Sequence, residues 1–294
     1  MKTKKLLVLA GIGMMSASLM AIPDSGGGAA TEVKDSTIMN TNTDVKNSAK
    51  DNSTINSGIQ AKGSTIEGST LVNTNTNVTN TAINRSKINS GIEANDATIK
   101  DSTLINDNQN VTNMAKDNST INSGISANSA DIKNSTLINT NKDVTNTAIN
   151  GSTINSGISA DGATIQDSTI MNTNKNVTNM AQDKSTINSG VNANGADIKN
   201  STLINDNQDV KNTAIGGSTI NSGINAEGAD IKDSTLMNTN KNVTNMAVDN
   251  STINSGISVK GASVKGSTII NDNKNVTNTA VGNSDINSGV DLGN

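Results

Sequence analysis

The side chains with chemistry to offer in this chain are amides. Asn40, Asn73 and Asn106 lie 33 residues apart, as do Asn47 and Asn80, and likewise Asn56, Asn89, Asn122 and Asn155. A carboxamide carries two N–H donors and a carbonyl oxygen with two lone pairs. Identical amides held about 4.8 Å apart, the spacing of paired strands, can donate and accept up and down a column as a ladder. Other chemistry is scarce. The chain has no His and no Cys, which removes the usual general base, thiol nucleophile and zinc ligands. It has no Phe, Trp or Tyr, so bases and sugars find no ring to stack on. Enzyme activity is not expected, and neither is a cofactor or a metal.

Amide columns need a scaffold that brings the chain back to the same place. A Ser-Thr-(Ile/Leu) triplet starts at Ser36 and returns every 33 residues as far as Ser267, with no insertion. A period held that strictly marks an array of stacked supersecondary units. Columns are numbered here from Ser36 as column 1. Asn then fills columns 5, 7, 12 and 21 in all eight repeats. The Asn-Ser-Thr and Asn-Val-Thr tripeptides also spell glycosylation sequons, a by-product of the repeat.

The apolar columns are equally regular. Column 3 holds Ile38, Leu71 and Leu104; column 10 holds Val45, Val78 and Val111; column 20 holds Ile55, Ile88, Ile121 and Ile154. Ile59 and Ile92 stand in column 24, Ile66 and Ile99 in column 31, and small residues, mostly Ala, in columns 14 and 26. These positions do not follow a helical spacing. They fall in short runs of Thr, Ile and Val separated by Asn, Gly, Asp and Ser, which is the pattern of strands joined by tight corners. Gly58, Gly91, Gly124, Gly157, Gly190, Gly223, Gly256 and Gly289 occupy column 23 throughout, a corner position requiring positive φ or close backbone approach. The expected fold is an all-β parallel β-solenoid of eight tandem repeats.

Each repeat also contains a pseudo-half, because Ser-Thr-Ile recurs at column 18. That predicts two rungs per repeat, of 17 and 16 residues, stacking column 14 on column 31; sixteen rungs span about 77 Å. One rung per repeat would halve the length. Columns 13 to 16 alternate between Thr-Ala-Ile-Asn (81–84) and Met-Ala-Lys-Asp (114–117), so large and small groups change places between neighbouring repeats. Apolar residues are few for a core of this length, near the composition of a disordered chain, and cooperativity along the stack has to make up the difference.

Residues 1–21 read as a secretory signal peptide: Lys2, Lys4 and Lys5, an apolar run from Leu6, then small residues, with cleavage after Ser18 or Ala21. The apolar run is shorter than the roughly 20 residues a membrane span requires. Residues 22–30 read as a short Gly-rich arm and residues 31–294 as the repeat domain, eight times 33. Without the three leader lysines, 19 basic residues stand against 26 acidic ones, which argues against a nucleic-acid partner. The mature chain is expected outside the cell and not inserted in a membrane.

The segment 31–35 matches columns 29 to 33, and Asn294 falls in column 28. The last residue of one copy and the first repeat residue of the next therefore continue the register, which predicts open head-to-tail stacking. With its leader, its Asn/Ser/Gly/Thr-rich tandem repeats and its lack of aromatics, the chain resembles bacterial functional-amyloid and β-solenoid fibre subunits, in the broad sense of the curli and Fap systems. It departs from them in lacking curli-type Gln columns and the Fap-type terminal Cys pair. The resemblance implies a secreted, self-assembling subunit of extracellular fibres, with roles in biofilm matrix and adhesion. Its partner is then another copy of itself, with a dedicated secretion pore, chaperone or nucleator as further partners. Two alternatives remain. One is a monomeric β-solenoid surface adhesin, although no sortase motif or lipidation Cys is present to hold it on the cell. The other is an ice-binding solenoid built on the all-Thr column 2, weakened by Lys87 and Asp285 in column 19 and by Asp107 and Gln109 in place of Thr41 and Thr43.

Overall fold

A computed structural model of the chain describes residues 20–21 and 32–293. The leader, apart from Met20 and Ala21, and the arm at 22–30 lie outside the described residues. The described chain is a parallel β-solenoid without helices, in which each strand from Glu32 onward pairs with the equivalent strand 33 residues away in each neighbouring turn.

The turn formed by residues 135–167 shows how sequence becomes shape. It holds the strands Thr136–Ile149, Thr153–Asn155, Ile158–Ser159 and Thr164–Gln166. The chain bends where residues adopt a left-handed backbone: Asp143 (φ 56°), Asn150 and Gly151 (55° and 68°), Gly162 (62°) and Asp167 (51°). Asp, Asn and Gly visit that conformation at least cost. Between the bends, β-branched Thr and Ile favour extended strand. Burial alternates along the long strand, with Leu137, Asn139 and Asn141 inside and Thr136, Ile138 and Thr140 facing outward. A single left-handed residue at column 9 shifts that alternation, so that Val144, Asn146 and Ala148 face inward on its far side.

Stacking the turns generates four parallel sheets of 11, 9, 8 and 8 strands. The ninth strand of one sheet is Met20–Ala21, which pairs in parallel with Ile59–Gln60. Register is exact in kind: Leu137 lies beside Ile170, Asn139 beside Asn172 and Val144 beside Val177. Such register follows from column identity, since a slip of one residue would turn every interior Asn and Leu outward.

The two-rung expectation is wrong. One repeat makes one turn of 33 residues, and eight turns at about 4.8 Å span roughly 38 Å rather than 77 Å. Columns 14 and 31 do not stack. Ala148 sits in an apolar cluster with the column-20 isoleucines, and Ile165 sits in a separate one with Leu137 and Ile158. The repeated Ser-Thr-Ile has a local cause. Both triplets follow a left-handed corner and open a strand, and in both the Ser N–H donates to the Ser hydroxyl of the next turn: Ser135 to Ser168 at 3.1 Å, Ser152 to Ser185 at 3.2 Å. Two corners of one turn solve the same problem with the same three residues.

Candidate functional site

The interior is not one core. The largest apolar cluster holds Leu71, Leu104, Ile59, Ile92, Ile66 and Ile99, with Ile38 packed against it. Ile88, Ile121 and Ile154 form a second with the column-14 alanines, with Ile55 against it, and Val78 and Val111 belong to a third, with Val45 against it. Buried Asn from columns 5, 7 and 12 and Ser from column 22 are also enclosed in the interior.

In that polar layer the amides stack. Asn40 Nδ2 donates to Asn73 Oδ1 and Asn73 Nδ2 to Asn106 Oδ1, both at 2.7 Å. In column 7 Asn42 donates to Asn75 at 2.8 Å, and in column 12 Asn47 donates to Asn80 at 2.8 Å. The second amide hydrogen of columns 5 and 7 crosses the turn. Asn139 and Asn141 both donate to the Ser156 carbonyl, at 2.7 and 2.8 Å. That carbonyl needs them, because the backbone ladder skips it: Ser123 and Gly124 N–H of the preceding turn both go to Asn155 O, at 2.7 and 3.1 Å. A buried carbonyl left without a donor is costly, and the amides remove that cost. The cross-core contact is invisible in the periodicity, since it joins residues 15 and 17 apart. Its only sequence trace is the Ser-Gly pair at a constant offset.

The column-21 ladder runs the other way. Asn89 donates back to Asn56 at 2.9 Å, Asn122 to Asn89 at 2.9 Å and Asn155 to Asn122 at 3.0 Å. Three ladders therefore point their donors toward the C-terminal end and one points them toward the N-terminal end. Among the described residues, Asn42 and Asn47 of the first turn pass a bond on and receive none at Oδ1, and Asn56 Nδ2 is buried without a partner. In the last turn the amides of Asn273 and Asn278 and the Oδ1 of Asn287 occupy the matching positions. The two end turns carry opposite halves of the same bonds.

Column 23 is glycine because of close approach, not a left-handed backbone. A Cβ on Gly157 would collide with the Gly190 carbonyl oxygen and stand 2.8 Å from its nitrogen. Gly58, Gly91, Gly124, Gly190, Gly223 and Gly256 each meet the next glycine in the same way. At Gly289 the nearest atom is Asn287 Oδ1 at 4.0 Å, since none of the described residues forms a turn over it. The last turn is open elsewhere too: Val290 is 43% exposed and Leu292 64%, in columns 24 and 26, whose equivalents nearer the middle are buried.

On the outer face, corner carboxylates are kept apart. Columns 16 and 33 alternate Asp with Asn or Gly, so that Asn84 donates to Asp51 at 2.8 Å, Asn150 to Asp117 at 2.7 Å and Asn134 to Asp101 at 3.2 Å. Two carboxylates one strand apart would repel, and the amide between them converts that into attraction. In column 27, Asp161 replaces the Asn of its neighbours. Its carboxylate accepts from Asn192 Nδ2 at 2.9 Å and Asn194 N at 3.1 Å, and burial holds its pKa above the usual carboxylate value. The column-2 threonines face outward beside an outward aliphatic column, Val72, Ile105 and Ile138 among them. Column 13 carries Met114, Met180 and Met246 outward as well. Among the described residues, no cluster of three or more His, Cys, Asp or Glu is placed to hold a metal ion, and no helix is long and apolar enough to cross a membrane.

No protein-family model matches the chain, and no curated protein sequence does. Solved structures give distant likenesses. A surface protein and adhesin of Streptococcus pneumoniae is 11% identical over 89% of this chain and 92% of its own, with a TM-score of 0.18. A pentapeptide-repeat protein from the cyanobacterium Nostoc is 8% identical over 84% and 86%, with a TM-score of 0.15. The A-module of a mannuronan C-5 epimerase from Azotobacter vinelandii is 11% identical over 92% of both chains, with a TM-score of 0.17. Values this low carry no function from those proteins to this one.

Proposed function

We propose that the chain is a structural subunit of an extracellular fibre, exported behind its leader and stacked head to tail on further copies of itself. The observation that carries this reading is the match between the two end turns. The last turn leaves Val290, Leu292 and the Gly289 backbone uncovered in the register the next turn would occupy. It offers amide donors at Asn273 and Asn278 where the first turn offers acceptors at Asn42 and Asn47. It offers an acceptor at Asn287 where the first turn holds the unpartnered Asn56 donor.

Once Met20–Ala21, which pair with Ile59–Gln60 on the first turn, are removed with the leader, stacking would repeat between copies what already holds between turns, with the same ladders and the same backbone bonds. Because the ladders are directional, head-to-head contact would set like groups against each other. The contact is heterologous and does not close, so it builds a filament. An open sheet edge in a soluble monomer is otherwise a hazard.

Electron microscopy and fibre diffraction on the chain lacking residues 1–21, held at micromolar concentration for days, test this. Unbranched filaments with a meridional reflection at about 4.7–4.8 Å are expected. A β-rich particle that stays monomeric would overturn the reading and bring the surface-adhesin alternative forward.

A further inference from the structure

We propose that the outward methionines Met114, Met180 and Met246 form a lateral contact with a second copy of this chain, displaced along the axis by one turn. The proposal rests on the stacking reading and adds a second, sideways interface to it. Column 13 faces solvent on the far half of the widest sheet, and its residues stand in register as Thr81, Met114, Thr147, Met180, Thr213 and Met246. The three methionines are 40–41% exposed, whereas the threonines between them are half-buried. A long thioether therefore protrudes every second turn, about 9.6 Å apart, with a short Thr in each gap.

The gaps have an apolar lining. In the Thr turns column 15 is Ile83, Ile149 or Ile215, each half-buried beside its Thr. A surface of knobs and gaps with one period fits a copy of itself shifted by half that period, so that each Met lies over a Thr and against an Ile. Such interdigitation is the dry packing of paired cross-β sheets, and Met adapts to an irregular gap. Any other partner would have to bring the same two-turn period; another copy has it already.

Charge is compatible with this pairing. In columns 11, 13 and 15, Lys46, Lys50, Lys116 and Lys211 are the charged side chains. A twofold axis along the stack, combined with the one-turn shift, sets column 15 against column 11. Lys116 then meets Thr79 or Thr145, Lys211 meets Gln182 or Val248, Lys46 meets Ile83 or Val281 and Lys50 meets Thr79 or Thr277, so no lysine faces another. Area explains why stacking must come first. Seven turns by three outward residues cover about 670 Å² a side, short of the roughly 800 Å² per partner of a stable standard interface. Single chains fall short of pairing, and each copy added to a stack enlarges the contact.

The test compares filament mass per length, by scanning transmission electron microscopy, for the wild type, for Met114→Thr/Met180→Thr/Met246→Thr and for Thr147→Met/Thr213→Met. The wild type is expected to carry two chains per eight turns, and both variants one. Filling the gaps adds apolar surface, so general stickiness would keep or increase pairing in the second variant, whereas knob-into-gap packing loses it. All substituted side chains point outward, and melting temperature and far-ultraviolet circular dichroism are expected to match the wild type. Wild-type filaments with one chain per eight turns, or paired filaments in either variant, overturn the proposal. Absence of any wild-type filament defeats the stacking reading itself, which is a different result.

Discussion

A middle turn and the last turn carry the same columns and have different fates. Leu203, Ile220 and Ile224 are fully buried, whereas Ile269 and Ile286 are only partly covered and Val290 is 43% exposed. Gly157 lies against the Gly190 backbone, and Gly289 lies against open space. The comparison teaches that a turn of this solenoid does not complete its own core. Its neighbour does, and stability is a property of the junction between turns, as in other quasi-one-dimensional arrays.

Charge placed in the core should separate the two regions most. Ile154→Asp puts a carboxylate in a dry middle-turn site and is expected to cost about 4 kcal/mol or more, seen as loss of the cooperative thermal transition. Ile286→Asp changes the same column in the last turn, where water reaches the carboxylate. The monomer should still fold, with a melting temperature within a few degrees of wild type, and fail to elongate. Equal damage from the two substitutions would mean that turns are not completed by their neighbours. A smaller effect is expected from the amides. Asn139→Ala deletes a bond to Asn172 and one of the two donors to the Ser156 carbonyl, at a cost of about 1–3 kcal/mol by chemical denaturation. Asn155→Ala, in the column-21 ladder that is not fully buried, should cost less and slow assembly rather than stop it.

These contrasts show how far the sequence could be read. In a parallel stack each residue sees copies of itself, so selection for the stack appears as column identity, and the solenoid and the Asn columns are visible in the bare sequence. The rung count was not visible. Ser36 and Ser53 begin look-alike triplets because both follow a left-handed corner, and the apolar columns 14 and 31 match in type while lying in separate clusters. The reason for Gly157 was half visible: the position admits only Gly, but the cause is a backbone one strand away. The direction of each ladder, and the Asn139 and Asn141 amides reaching the Ser156 carbonyl, depend on how the turn closes and leave no period to find.

The smallest expected effect is a pH effect within one column. Burial raises the pKa of Asp161, and its neighbours Asn128 and Asn194 hold the equivalent place without charge. A carboxyl whose pKa is higher folded than unfolded stabilises the fold fully below its unfolded pKa, and that contribution is lost as pH rises through the folded value. Asp161→Asn should therefore melt slightly higher than wild type at pH 7, with the gap closing as pH falls toward 3. A gap that widens on acidification would mean that the bonds from Ser159, Asn192 and Asn194 favour the charged carboxylate more than burial opposes it.

The most direct measurement is a paired one on glycine. Gly157→Ala drives a Cβ into the next turn and should lower stability by about 3 kcal/mol or more. Among the described residues, the Cβ of Gly289→Ala meets nothing closer than Asn287 Oδ1 at 4.0 Å, and it points where the Gly58 backbone of a stacked copy would lie. Gly289→Ala is expected to melt with the wild type and to fail to elongate in a seeded filament assay. Elongation of Gly289→Ala at the wild-type rate would contradict head-to-tail completion of one copy's last turn by the first turn of the next.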